Sequence, residues 1–278
     1  MKIIDGKEVS QNIRNELKLE VAVLKKQKIF PKLAVILVGQ DPASKIYVNL
    51  KSKACNDIGI AYEERLLDEN TTMDELLSVI NDLNNRNDIH GILLQSPIPK
   101  HLDADLAFET ISVKKDVDGF NPVSIGKLSM KQECFTPCTP FGIIKLLEYY
   151  NIELAGKHVV ILGRSNIVGK PMLQCVITKN ATVTVCHSKT ENIKELTTQA
   201  DILISAIGKC NFVTADMVKK DAVVIDVGIN RLDTGKVVGD VDFENVKEKA
   251  SYITPVPGGV GPMTITMLMS NVVKSAKK

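Results

Sequence analysis

The sequence predicts an α/β protein of two domains, the second of which binds a dinucleotide. Buried-strand patterns alternate with segments of helical spacing along most of the chain, which is typical of a mostly parallel sheet. At 278 residues the chain is longer than one typical core requires, so about two domains are expected. Residues 158–171 combine a buried strand, a glycine turn and a helix, the arrangement that directs backbone N–H groups towards a phosphate.

The first half of the chain alternates regularly between helix and strand patterns. Pro31 and Gly59 mark the ends of two helices, and Thr72 with Glu75 forms a capping box that opens a third. The predicted elements are a helix over residues 7–28, a strand over 32–39, a helix over 43–58, a strand over 61–67, a helix from 72 and a strand over 90–95. In such a sheet the ligand crevice lies beyond the carboxyl ends of the strands, where Gln95 falls.

The second half reads as a compact nucleotide-binding fold. Residues 114–139 lose periodicity, which predicts a functional loop and the crossing between domains. The predicted elements after it are a helix over 141–150, a strand and helix over 158–177, a strand over 182–187, a helix over 193–200, strands over 201–206 and 222–227, and a helix over 264–273. We therefore predict a first domain of residues 1–137 joined by a returning C-terminal helix, 263–278, and a second domain of residues 138–262.

Composition and charge exclude several classes of protein. A net charge of +2 gives no electrostatic footprint for nucleic acid or for a membrane surface. No apolar run reaches the ~18 residues of a membrane span, and the N-terminus lacks a signal-peptide core, so we predict a cytoplasmic protein. The six cysteines lack the spacing of a zinc site and are predicted to be free thiols, with no metal bound.

The glycine turn carries the strongest local signal for a cofactor. Its spacing is Gly163-x-Ser165-x-x-x-Gly169, which differs from the G-x-G-x-x-G fingerprint of dinucleotide-binding folds. Taken alone, the motif also fits an ordinary strand-to-helix turn. The surrounding α/β pattern favours a nucleotide site that includes Gly163, Arg164 and Ser165.

The predicted nucleotide is NADP, not NAD. Folds that bind NAD place an Asp or Glu about 20 residues after the glycines to hold the ribose 2′-hydroxyl. Here the corresponding strand ends in His187-Ser188-Lys189, without an acid, and Ser188, Lys189 and Arg164 could bind a 2′-phosphate. The alternative is that Arg164 and Lys189 are solvated surface charges. A further strand ends before Gly228, whose lack of a side chain would let the backbone near Ile229 approach a nicotinamide.

Tyr47 and Lys51 lie one helical turn apart in the first domain. This places both side chains on one helix face, ~5–6 Å from each other. Tyr-x-x-x-Lys also occurs in short-chain dehydrogenases, but there it follows the nucleotide motif, whereas here it precedes Gly163 by more than a hundred residues. On spacing alone, a surface lysine beside a half-buried tyrosine is the simpler interpretation.

Six motifs in a fixed order favour a catalytic interpretation instead. They are Tyr47-x-x-x-Lys51, Leu94-Gln95-Ser96-Pro97-Ile98-Pro99, Lys115-Asp116-Val117-Asp118-Gly119-Phe120, Pro137-Cys138-Thr139-Pro140, residues 163–171, and Pro255-Val256-Pro257-Gly258-Gly259-Val260-Gly261-Pro262-Met263-Thr264. From end to end the chain resembles the bifunctional methylenetetrahydrofolate dehydrogenase/methenyltetrahydrofolate cyclohydrolase family. It departs from the family at Ser96, where leucine usually follows the glutamine.

The resemblance implies two reactions in one interdomain cleft. NADP-dependent oxidation of 5,10-methylenetetrahydrofolate is followed by hydrolysis of the methenyl product to 10-formyltetrahydrofolate, in the one-carbon metabolism that serves purine biosynthesis. It implies that Lys51 transfers protons in the hydrolysis, that Gln95 holds Lys51, that Tyr47 packs on the folate rings and that Asp118 accepts hydrogen bonds from the pterin. It further implies a backbone loop of Pro257, Gly258, Gly259 and Val260 against the substrate, and a homodimer.

Two other functions remain as alternatives. One is an NADP-dependent dehydrogenase of another small substrate, of the shikimate or amino-acid type, which shares the two-domain plan. The other is a non-catalytic nucleotide-binding module. The Asp118-Gly119-Phe120 segment and the loop around Gly258 argue against the first, and a sensor would not need Tyr47, Lys51 and Gln95 together.

Overall fold

The computed structural model describes all 278 residues, which divide into two compact units. The first unit comprises residues 12–138 and 265–278, and the second unit comprises residues 1–11 and 139–264. The strands are β1 (Lys2–Ile3), β2 (Lys32–Val38), β3 (Ala61–Leu67), β4 (Gly91–Leu94), β5 (His158–Leu162), β6 (Thr182–Cys186), β7 (Ile202–Ser205), β8 (Val223–Asp226), β9 (Asn230–Arg231), β10 (Val237–Val238) and β11 (Tyr252–Ile253). The helices are α1 (Gly6–Lys26), α2 (Pro42–Ile58), α3 (Met73–Asn85), α4 (Ala104–Thr110), α5 (Pro122–Ser129), α6 (Cys138–Tyr149), α7 (Gly169–Ile177), α8 (Ile193–Thr197), α9 (Phe243–Val246) and α10 (Val260–Ala276), with a 3₁₀ turn at Ala215–Met217.

The first unit is built on a three-stranded parallel sheet in the order β3-β2-β4. Strand β2 lies in the middle, and every residue after Lys32 is buried, as a strand covered on both faces requires. Ala34, Ile36 and Val38 pack with the apolar face of α3, including Leu76 and Ile80, in one hydrophobic cluster. This core fixes the carboxyl ends of β2 and β4, and Gln95 directly follows β4.

The second unit contains a six-stranded parallel sheet in the order β1-β11-β8-β7-β5-β6. The chain runs from β5 outward to β6 and then returns to β7 on the other side of β5. The strand order therefore reverses around β5, and the carboxyl ends at such a switch point form the crevice that binds ligands in open α/β sheets. A short antiparallel hairpin of β9 and β10 follows β8.

The local signals in the sequence correspond well to the observed elements. The Thr72 side chain accepts a hydrogen bond from the Glu75 N–H while the Glu75 carboxylate accepts one from the Thr72 N–H, so the predicted capping box is confirmed. Helix α2 begins at Pro42 and ends at Gly59, whose φ of 88° is left-handed. The predicted α/β class is confirmed throughout the chain.

One predicted loop contains a helix. Within the segment 114–139, α5 begins after Asn121, whose side chain accepts a hydrogen bond from the Val123 N–H at 2.9 Å. Pro122 stands at its first position, where no backbone donor is required. Eight residues are too few to produce a clear apolar period, so the prediction of a loop was wrong for this part.

The start of the chain differs from the predicted domain boundary, and the last helix is longer than predicted. The predicted first domain includes residues 1–11, but β1 pairs with β11 in the sheet of the second unit. Helix α10 begins at Val260, earlier than expected, and residues 265–278 belong to the first unit. A two-residue strand leaves no pattern in a sequence, which explains why β1 was missed. None of the helices combines the length and apolar character needed to cross a membrane.

Candidate active site

A lysine and a glutamine form the centre of the site in the first unit. Lys51 Nζ donates a hydrogen bond to Gln95 Oε1 at 2.7 Å, and Gln95 Nε2 donates to the Ser96 carbonyl at 2.6 Å. Gln95 is buried, and its N–H donates to the Ile36 carbonyl of β2, so the sheet fixes its position. The peptide bond between Ser96 and Pro97 is cis. The predicted contact between Lys51 and Gln95 is thus present.

Helix α2 carries Lys51, and its first turn is tightly capped. The Asp41 side chain accepts a hydrogen bond from the Ser44 N–H at 2.7 Å. Tyr47 lies one turn before Lys51 and is half-buried. The hydroxyl of Ser44, one turn earlier still, is buried and has no hydrogen-bond partner within the chain. Ser44 was not predicted from the sequence, although its spacing of seven residues from Lys51 places it on the same helix face.

A buried carboxylate organises the loop that carries Asp118. Asp116 accepts hydrogen bonds from the N–H groups of Gly119 (3.1 Å), Phe120 (3.0 Å) and Asn121 (3.0 Å) and from the Ser124 hydroxyl (2.7 Å). Gly119 has a φ of 79°, and a Cβ there would lie 2.7 Å from the Pro137 nitrogen. The loop conformation therefore requires glycine at position 119.

Burial controls the charge states in this site. Desolvation lowers the pKa of Lys51, and the nearby Asp118 carboxylate opposes this effect. Burial likewise raises the pKa of Asp118, with Lys51 and the Cys138 thiol opposing it. Burial also raises the pKa of Asp116 to about 7, against the hydrogen bonds from Ser124 and the loop amides. Lys51 is therefore held in an environment that favours its neutral amine.

The second unit holds a cavity of about 520 Å³ at the switch point of its sheet. Gly163 has a φ of 112°, and a Cβ there would lie 2.3 Å from the Ala206 carbonyl oxygen. A Cβ on Gly169, the first residue of α7, would lie 2.2 Å from the Gly163 carbonyl oxygen. Both glycines therefore permit close backbone approach, as a phosphate-binding turn requires. The lining residues include Gly163, Arg164, Ser165, His187, Ser188, Ile193, Ala206, Ile207, Lys209 and Phe212.

These residues fit NADP. The end of β6 presents Cys186, His187 and Ser188 and contains no carboxylate that would repel a 2′-phosphate. Arg164 and Lys209 provide two cations at the cavity wall. Lys209 was not predicted from the sequence, whereas the predicted Lys189 is exposed and does not line the cavity. The position of Lys209 just after β7 was the available signal, because ligands collect at the carboxyl ends of strands.

Ile229 lies outside the lining of this cavity and is 51% exposed. The neighbouring Gly228 packs against a carboxylate. A Cβ on Gly228 would lie 2.2 Å from Asp240 Oδ1, so a buried carboxylate by itself requires glycine at this position. No group of three or more His, Cys, Asp or Glu side chains is arranged to hold a metal ion.

The loop of Pro257, Gly258, Gly259 and Val260 packs on the start of the chain within the second unit. The Lys7 N–H donates to the Gly258 carbonyl at 3.2 Å, and a Cβ on Gly6 would lie 1.8 Å from the Gly259 carbonyl oxygen. The peptide bond between Val256 and Pro257 is cis. The loop is therefore held by backbone contacts that only glycine permits.

Comparisons with known proteins identify the family. The sequence profile described as "Tetrahydrofolate dehydrogenase/cyclohydrolase, catalytic domain" matches residues 4–118, and the "NAD(P)-binding domain" profile of the same family matches residues 137–278. The chain belongs to the tetrahydrofolate dehydrogenase/cyclohydrolase family. This confirms the resemblance stated from the six motifs and the two-domain α/β class.

Relatives match over nearly the whole chain. The bifunctional protein FolD of Bacillus pumilus is 56% identical over 276 residues, covering 99% of this chain and 98% of the relative, and that of Bacillus subtilis is also 56% identical with the same coverage. The crystal structure of the bifunctional FolD methylenetetrahydrofolate dehydrogenase/cyclohydrolase from Campylobacter jejuni has a TM-score of 0.99 and 54% identity, covering 100% and 99% of the two chains. The Trypanosoma brucei FolD structure, complexed with NADP cofactor and an inhibitor, has a TM-score of 0.95 and 37% identity, covering 99% and 97%.

Membership of this family establishes the activity of the chain. The chain is a bifunctional methylenetetrahydrofolate dehydrogenase and methenyltetrahydrofolate cyclohydrolase of one-carbon metabolism, and NADP is its cofactor. These predictions are confirmed, and the alternatives of another small-molecule dehydrogenase and of a non-catalytic module are set aside.

Proposed function

We propose that Lys51 acts as the proton-transfer group of the cyclohydrolase reaction, while hydride transfer proceeds without it. The observation that carries this proposal is the 2.7 Å hydrogen bond from the half-buried Lys51 to the neutral Gln95 amide. An amide orients the lysine without adding the negative charge that would raise its pKa. Tyr47 packs on the folate rings and Asp118 accepts hydrogen bonds from the pterin amino edge.

Oxidation places little demand on acid–base groups. The one-carbon bridge lies between two nitrogens whose lone pairs stabilise the cation left after hydride departs, so positioning of the reactants dominates. NADP⁺, when bound, supplies the hydride acceptor. Gly163, Arg164, Ser165 and Ser188 hold the dinucleotide in the cavity, and the backbone near Ile229, outside the cavity lining, would approach only its nicotinamide.

Hydrolysis does require proton transfer. As water adds to the methenyl carbon, neutral Lys51 takes one of its protons, which gives a carbinolamine. Cleavage of the bond from this carbon to N5 then returns a proton to N5, while the carbinol hydroxyl loses its proton and becomes the formyl oxygen. One water is consumed and one proton is released overall. The loop of Pro257 to Val260 contributes backbone contacts to the substrate.

The substrate itself assists in keeping Lys51 neutral. Lowering the pKa of a lysine from ~10.4 to near neutrality corresponds to about 4 kcal/mol. A methenyl cation at about 4 Å would supply about 4 kcal/mol at an effective dielectric near 20. Burial already acts in the same direction in this structure.

Replacing Lys51 tests this division of labour. Lys51→Met should abolish methenyl hydrolysis and leave measurable formation of NADPH from methylenetetrahydrofolate, because only the first needs the amine. Both are followed in one spectrophotometric assay of reduced nucleotide and methenyl species, with NADP⁺ and NAD⁺ in parallel. Lys53→Met, on an exposed position of the same helix, is the matched control. Equal loss of both activities in a folded variant that still binds folate contradicts the proposal.

We further propose that the protein acts as a homodimer in the cytoplasm. Support for the dimer comes from β3, a seven-residue strand that pairs only with β2 and so leaves one edge free. Such an edge exposes backbone donors and acceptors that another strand can pair. Leu66 on this strand is 53% exposed.

A further inference from the structure

A buried carboxylate lies beneath the nucleotide cavity of the second unit. Asp240 is fully buried, and all of its hydrogen-bond donors are uncharged. They are the Ser205 hydroxyl (3.2 Å) and the N–H groups of Ile207 (2.8 Å) and Gly208 (3.2 Å) on Oδ2, and the N–H of Lys209 (2.9 Å) and the side-chain amide of Asn230 (3.0 Å) on Oδ1. Moving any of these donors away would leave a buried polar group without its hydrogen-bond partner, which costs free energy.

Three of these donors are consecutive amides of the loop after β7. Ala206, Ile207 and Lys209 line the nucleotide cavity, while the amides of residues 207–209 are turned to Asp240. These N–H groups are therefore not available to a ligand. The loop can contact a dinucleotide only through its side chains and carbonyl groups.

The same loop contacts the glycine turn. Because a Cβ on Gly163 would lie 2.3 Å from the Ala206 carbonyl oxygen, the two backbones are in direct contact. If the loop of residues 206–209 shifted, this wall of the cavity would move relative to the glycine turn that precedes α7.

A second carboxylate holds the segment that carries Asp240. Asp226, at the end of β8, accepts hydrogen bonds from the N–H groups of Gly228 (2.9 Å), Asp240 (2.9 Å) and Val241 (3.0 Å). A Cβ on Gly239 would lie 1.8 Å from Asp226 Oδ2. Asp226 and Asp240 thus form one array that joins the ends of β7 and β8, with glycines where the carboxylates leave no room.

We propose that Asp240 is a positioning residue for the dinucleotide, fixing the loop of residues 206–209 and through it the cavity wall opposite Arg164 and Ser165. The residue acts through the loop and does not touch the reacting atoms. The proposal rests on the nucleotide site proposed above.

Asp240→Asn tests the proposal by titration calorimetry of NADP⁺ into the nucleotide-free enzyme. Both oxygens of Asp240 accept hydrogen bonds. In the variant the NH₂ group replaces one of these oxygens and would face N–H or O–H donors, so the loop should shift. We expect the Kd for NADP⁺ to rise about ten- to a hundredfold, the range for losing one hydrogen bond to a charged group. Methenyl hydrolysis, measured without nucleotide, should stay within about twofold, since it depends on Lys51 in the first unit, which shares no hydrogen-bond partner with Asp240.

Asp201→Asn is the matched control. Asp201 lies just before β7, at the opposite end of the sheet, where it accepts the His158 N–H and pairs with Lys219. Its replacement should leave NADP⁺ affinity unchanged. Unchanged affinity in Asp240→Asn overturns the proposal, and so does a parallel loss of hydrolysis, NADP⁺ binding and melting temperature, which would indicate a purely structural role.

Two further variants test the proposal if Asp240→Asn does not fold and separate it from the nucleotide site on which it rests. Should Asp240→Asn not fold, Ser205→Ala removes one donor while keeping the amides, and an unchanged Kd in that variant also overturns the proposal. Gly163→Ala tests the cavity itself. Loss of NADP⁺ binding there with normal binding in Asp240→Asn rejects only the positioning role, whereas normal binding in Gly163→Ala rejects the nucleotide site.

Discussion

At the scale of single residues, the proposed role of Lys51 in hydrolysis depends on its having an uncharged hydrogen-bond partner. Gln95 accepts the lysine hydrogen bond at 2.7 Å through an amide oxygen, and burial lowers the pKa of the lysine. A carboxylate in the same place would hold Lys51 as an ammonium ion. The proposal therefore requires glutamine, and not glutamate, at position 95.

Gln95→Glu should move the pH dependence of methenyl hydrolysis. The new carboxylate raises the pKa of Lys51, and since the neutral amine is the active form, the rate profile should shift to higher pH by about 1–3 units. The pH profile of NADPH formation should not move. Gln132→Glu, which adds the same charge at an exposed position, serves as control. A hydrolysis profile that stays in place argues against Lys51 as the base.

Residue type alone could not reveal every member of the sites. Lys51, Gln95 and Asp118 were found because they stand in recognisable motifs. Lys209, at the nucleotide cavity, and the unpartnered hydroxyl of Ser44 were missed because a single lysine or serine has many uses. Asp240 was missed for the same reason, since its hydrogen-bond donors come from two separate segments, residues 205–209 and Asn230.

At the scale of elements, helix ends followed local rules closely. The capping box of Thr72 and Glu75 and the left-handed Gly59 are both decided by residues within one turn. Helix α5 and strands β1 and β11 were not predicted, because eight- and two-residue elements are too short to show a period. Strand pairing from β1 to β11 also joins residues about 250 apart in sequence, which no local rule reports.

Thr72→Ala should destabilise the first unit by about 1 kcal/mol, the usual cost of losing an N-cap side chain. Thr72→Ser retains the hydroxyl and should restore most of this loss. Urea unfolding curves of both variants and the parent protein measure the effect. If the serine variant is as unstable as the alanine variant, the methyl group and not the cap matters.

At the scale of the whole molecule, the free edge of β3 bears on assembly. Leu66→Glu would place a charge on that edge, where a dimer would bury it. The dimer dissociation constant should rise tenfold or more, corresponding to about 1.4 kcal/mol or above. Sedimentation equilibrium measures it, with Leu19→Glu as control, because Leu19 on α1 is even more exposed, at 71%. A dimer that resists Leu66→Glu uses another surface.

The sequence by itself determined the α/β class, most long elements, the six motifs that carry the family resemblance and the choice of NADP, because each depends on patterns within a short window. Only the tertiary structure decided that residues 1–11 join the second sheet, that Lys209 replaces Lys189 at the cavity, and that Gly228 and Gly239 make room for two buried carboxylates. These features arise from contacts between distant segments. Burial and hydrogen bonding there are properties of the folded chain, which a linear pattern does not contain.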